Sequence, residues 1–103
     1  MTASVPISHA LFLAILLFGI GTVGLLSRRN VLFMLLSIEV MLNAAGLAFV
    51  AAGARWAQPD GQVMFFFILA MAAAEVAVGL ALVLRMYHQH GTLDADAADE
   101  LKG

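Results

Sequence analysis

Two acidic side chains stand where acids are costly. Glu39 and Glu75 are each the only ionisable group in the interior of a long apolar run, and an acid at the centre of a membrane span costs on the order of 3 kcal/mol even on a lenient insertion scale. Two of them in so short a chain point to a shared purpose. No Lys or Arg lies inside either run, so the chain cannot neutralise these carboxyls itself. They are either protonated, sharing protons with each other, or faced by a basic residue of another subunit. Burial favours the protonated form of a carboxyl and a nearby cation the charged form. A group held between these influences can take up a proton from one side and release it to another, as a relay requires. Asn43 and Gly46, four and seven positions after Glu39, share its helix face, and this polar, small stripe predicts contact with protein rather than lipid. Met71, Ala72 and Gly79 make a comparable stripe around Glu75, so both carboxyls are expected to face a common polar axis. The alternative is structural: protonated glutamates, with Asn43, bonded across helices as assembly glue.

The elements that must carry these residues are membrane helices. The 103 residues are 63% hydrophobic and 12% charged, about half the charged fraction of a soluble domain. Three uninterrupted apolar stretches, about 7–27, 31–54 and 62–85, each match the roughly 20 residues that cross a ~30 Å hydrocarbon core. Only helices satisfy their own backbone in lipid when three spans are too few to close a barrel. The expected fold is therefore all-α: an integral membrane domain over residues 1–88 with three antiparallel transmembrane helices joined by short loops. From the inner side, Glu39 lies nine residues past Asn30, or ~13 Å, and Glu75 ten residues before Arg85, or ~15 Å, which places both near mid-membrane. Arg28, Arg29 and Arg85 border one side against Arg55 alone on the other. The positive-inside rule then puts the first loop inside, the N-terminus outside and the C-terminus in the cytoplasm. Trp56 and Tyr87 fall at opposite interfaces, where amphipathic rings prefer to sit. The first span lacks a basic start and ends in Ser27-Arg28-Arg29 rather than a cleavage site, so it is expected to stay attached. Residues 89–103 turn abruptly polar and are expected to form a mobile cytoplasmic tail.

Other candidate motifs carry less. Gly19-Ile20-Gly21-Thr22-Val23-Gly24 spells a dinucleotide fingerprint, with Glu39 about 20 positions on. It sits inside an uncharged span, so close helix packing is the better reading. His9 and the pair His88 and His90 lie on opposite sides of the membrane and cannot hold one haem. At i, i+2 the latter two do not share a helix face, and they read as solvated interface residues following the third helix. Arg28 and Arg29 are most simply topology determinants, although a basic loop could also dock a neighbouring subunit. Phe65 to Phe67 and the six methionines read as packing or lipid-facing residues. Zero cysteines exclude thiolate metal sites and a cysteine nucleophile, and five basic residues give no footprint for nucleic acid.

The stretches RRNVLFMLLSIEVMLNAAGLAFV and DGQVMFFFILAMAAAEVAVGLALVLRMY closely resemble the subunit K family of bacterial proton-pumping NADH:quinone oxidoreductase, whose mitochondrial counterpart is chain 4L of complex I. The resemblance covers nearly the whole chain up to about Tyr87. It implies that Glu39 and Glu75 take the places of the family's two membrane glutamates, and that Arg28 and Arg29 match its basic cytoplasmic loop. It further implies no redox cofactor in this chain, with NADH, flavin, iron–sulfur clusters and quinone handled by other subunits. Partners would be the other membrane-arm subunits of complex I in the bacterial inner membrane, in a hetero-oligomer. Two rivals share the helix plan: the related small membrane component of multisubunit sodium/proton antiporters, and a purely structural membrane anchor.

Overall fold

A computed structural model describes residues 6–97. It contains helices α1 (Ile7–Ser27), α2 (Val31–Arg55) and α3 (Asp60–His90), followed by a short 3-10 turn at Ala95–Ala97. Each helix begins where its sequence permits. Pro6 precedes α1 in an extended conformation, Pro59 lacks the N–H that an interior helix position would need, and the Asn30 side-chain oxygen caps α2 by accepting the Phe33 N–H at 3.0 Å. All three helices are long and apolar enough to cross a membrane.

The third helix is longer than its apolar run. It starts two residues before position 62 and continues to His90, five residues past Arg85. Hydropathy marks where lipid would end, whereas helical hydrogen bonding continues until something stops it. Met86 to His90 include no Gly or Pro. The stop is Gly91, whose left-handed backbone (φ 70°) terminates α3 while its N–H donates to the Tyr87 carbonyl at 2.7 Å. His88 and His90 accordingly belong to the last turn of α3 rather than following it, and the tail begins at Gly91 rather than Gln89. At 31 residues α3 is about 46 Å long, more than a hydrocarbon core needs.

Helix α2 is the shared element, with α1 and α3 each packed on it. Its α1 side carries Ser37, Met41 and Ala44. A Cβ on Gly21 would lie 2.9 Å from the Ser37 carbonyl oxygen and one on Gly24 2.7 Å from the Ser37 hydroxyl. Both glycines therefore serve close helix approach, as expected in place of a nucleotide site, while Gly19 faces open space. The α3 side of α2 carries Leu35, Gly46 and Gly53, which meet Gly79, Phe65 and Gly61 respectively. Residues 44 and 46 are turned about 200° apart on a helix, so α1 and α3 occupy opposite sides. Few side chains are buried: Ala14, Ala44 and Val83 are, whereas Phe12, Ile20, Leu26 and Phe66 are exposed. Such an outward apolar surface needs lipid or partner helices.

The tail departs from the expectation of mobility. After Gly91 the chain turns back, and the Val31 N–H donates to the Leu93 carbonyl (2.8 Å) while the Ala95 N–H donates to the Arg29 carbonyl (2.7 Å). Asn30 and Asp94 thereby form an antiparallel bridge, and Arg29 pairs with Asp96 at 3.1 Å. Backbone groups left open in the loop between α1 and α2 are what hold it. The remainder of the expected tail, 98–103, lies outside the described residues.

Candidate functional site: two intramembrane carboxyls

Glu39 lies on α2, on the side turned toward α3, and is half-buried. Its Oε1 is fully buried and has no hydrogen-bond partner. An unsatisfied buried polar atom costs roughly 1–3 kcal/mol and more when charged, so this oxygen calls for a proton, a donor or a cation. Glu75 on α3 is exposed. It lines an open groove of about 490 Å³ between α2 and α3, with Leu35, Ile38, Met71 and Val78 among the walls.

The helix contacts set their relative height. Gly53 meets Gly61 beside the loop joining α2 and α3, and Leu35 meets Gly79 at the far end. Glu39 is four residues from Leu35 and Glu75 four residues from Gly79, both toward that loop, so each lies about 6 Å from the same contact. Matched depth, read from the sequence by distance to the flanking arginines, therefore follows from the packing as well. A single shared groove does not: Glu39 is absent from the lining of the groove that holds Glu75. The reason is rotational. A side chain one or two positions around a helix from the seam opens on one flank or the other, and sequence spacing within each helix says nothing of the rotation between helices.

The stripe around Glu39 also divides. Gly46 is buried against the Phe65 ring of α3, while Asn43 is exposed and available to a partner rather than to Glu39. On α3, Gly79 packs under Leu35 whereas Met71 points outward.

No arginine among the described residues reaches either carboxyl. Arg29 is paired with Asp96. Arg28 stacks over the Phe33 ring at 4.9 Å and Arg55 over the Trp56 ring at 4.8 Å. Arg85 is ten residues along α3 from Glu75, about 15 Å by helical rise. The described residues also contain no cluster of His, Asp and Glu able to hold a metal ion. What the site offers is proton chemistry: two carboxyls at one depth, one with a buried open oxygen and one facing outward. The difference between their surroundings was not predicted from the sequence, nor was the tail segment that occupies Arg29.

Known proteins place this pattern. Residues 9–103 match the family model described as NADH-ubiquinone/plastoquinone oxidoreductase chain 4L. The chain is 63% identical to NADH-quinone oxidoreductase subunit K of Acidiphilium cryptum, over 98% of this chain and 99% of the relative. It is 63% identical to the protein of that name in Psychrobacter cryohalolentis, over 96% of this chain and 73% of the relative. For Pseudomonas aeruginosa the figures are 58%, 97% and 98%. With nearly its whole length matched, the chain belongs to the chain 4L family of NADH-ubiquinone/plastoquinone oxidoreductases.

Proposed function

We propose that the chain is a membrane-arm subunit of proton-translocating NADH:quinone oxidoreductase and that Glu39 and Glu75 carry protons through it. Family membership supports the first part, since these relatives are named as subunits of that oxidoreductase rather than of an antiporter. The observation that carries the second is the buried, unpartnered Oε1 of Glu39. A purely structural anchor gains nothing from an acid that its own fold leaves unsatisfied. The subunit is a multi-pass protein of the bacterial inner membrane, with the N-terminus outside and the tail inside. Adjacent helices run antiparallel, a direction supported by the Gly53–Gly61 and Leu35–Gly79 contacts at opposite ends of the hairpin.

Redox chemistry belongs to other subunits, and the residues of this chain hold and move protons. Glu39 is completed by a donor or cation from a neighbouring membrane-arm subunit, with exposed Asn43 contributing to that contact. Glu75, at the same height on an open groove, receives or delivers the proton on the other flank of the seam between α2 and α3. Events at the quinone site change the electrostatics or hydration around the carboxyls and so shift their proton affinities. Arg28 and Arg29 fix the inner loop.

The test is Glu39→Gln in the intact complex. The substitution keeps size and removes titration. Quinone-coupled proton pumping is expected to fall by about tenfold or more in a complex that still assembles. Normal pumping with normal turnover would refute the relay role.

A further inference from the structure

The end of α3 beyond Gly79 is loosely packed. A groove of about 250 Å³ lined by Val31, Leu82, Arg85 and Met86, among others, separates its last turns from the start of α2. The chain crosses this gap. Gly91 reverses its direction, the Asp94 carboxylate accepts the Asp96 N–H at 2.9 Å and the Thr92 hydroxyl accepts the Asp94 N–H at 3.2 Å. Thus shaped, the segment meets the loop between α1 and α2 through two backbone hydrogen bonds and the Arg29–Asp96 pair. The ion pair is exposed on both sides and weak on that account. The backbone bonds give the contact its register.

We propose that Leu93, Ala95 and Asp96 form a latch that positions α3, and with it Glu75, against α2 during proton transfer. The proposal rests on the relay reading above. The physical reason is leverage: α3 is held to α2 at Gly61, Phe65 and Gly79, and Glu75 lies on the stretch between the tight hairpin base and the latched end. Releasing that end lets α3 pivot about its base, which displaces a carboxyl near mid-helix. Proton transfer between fixed groups is sensitive to displacements of this order.

The experiment uses the whole complex. Ala95→Pro removes the N–H that bonds to the Arg29 carbonyl while changing a small surface residue. Spin labels at Leu36→Cys on α2 and Leu82→Cys on α3 report the distance between the helices. The ratio of protons moved per electron, with NADH oxidation by a soluble acceptor as control, reports coupling. We expect a broadened distance distribution, a proton-to-electron ratio reduced at least about twofold, and unchanged acceptor activity. In a separate complex without labels, a disulfide from Asn30→Cys with Asp94→Cys restores the latch. These residues face each other as a pair that does not share hydrogen bonds, a spacing that suits a disulfide, and the chain has no other cysteine. Oxidation should recover the ratio in the Ala95→Pro background and reduction should lose it again. An unchanged ratio in Ala95→Pro, or a lowered one that oxidation does not rescue, would overturn the latch. Failure of the relay reading looks different: Glu39→Gln and Glu75→Gln would then pump normally, whatever the spin labels show.

Discussion

The two sides of α2 are built for different tasks. Toward α1 the seam is closed by small residues, with Gly21 and Gly24 over Ser37 and with Ala14 and Ala44 buried. Its one buried polar side chain is satisfied within its own helix, because the Ser37 hydroxyl donates to the Phe33 carbonyl at 2.9 Å. Toward α3 the seam is equally tight beside the loop, where a Cβ on Gly61 would run into the Phe49 carbonyl. At mid-depth it holds Glu39 with an open oxygen and, on α3, Glu75 on an open groove. A seam that only joins helices leaves no polar atom wanting. The side that does leave one wanting is where neighbouring subunits and protons enter.

The contrast is broken most severely at Glu39. Beside the tenfold loss expected of Glu39→Gln, the matched control is Ser37→Ala, a polar residue two positions away on the α1 side. It should leave the proton-to-electron ratio unchanged, and a comparable loss would mean that any polar change at this depth disturbs pumping. Glu75→Gln comes next. Because its carboxyl is exposed, water or a partner group can substitute for it in part, so a several-fold loss is expected in the same pumping assay. A variant indistinguishable from wild type would confine the relay to α2. Gly61→Ala follows, with a destabilisation of about 1–3 kcal/mol from forcing a methyl group against backbone, read as reduced recovery of assembled complex. The smallest effect belongs to Gly19→Ala. Open space around that position predicts a change within about 0.5 kcal/mol, and full recovery of the complex would separate it from its neighbour Gly21.

Much of this contrast is legible in the residues alone. Charge-free runs and short loops define three spans, and isolated acids draw attention to Glu39 and Glu75 because lipid makes them expensive. Matched depth follows from helical rise alone. The flank on which each carboxyl opens does not, since it depends on how α3 is rotated about the contacts at Gly46, Gly61 and Gly79. The overrun of α3 to His90 has a signal in Gly91 that hydropathy overshadows. The docking of Leu93 and Ala95 on the loop has none, because backbone hydrogen bonds between positions more than 60 residues apart leave no mark in side-chain type.

The most direct test follows the carboxyl itself. Infrared difference spectra of the membrane-embedded complex, resting against turning over, would carry a carboxyl C=O band assigned to Glu39 by its loss in Glu39→Gln. We expect that band to change intensity as NADH drives turnover, marking gain and loss of a proton. A Glu39 band identical in the resting and working complex would contradict the relay.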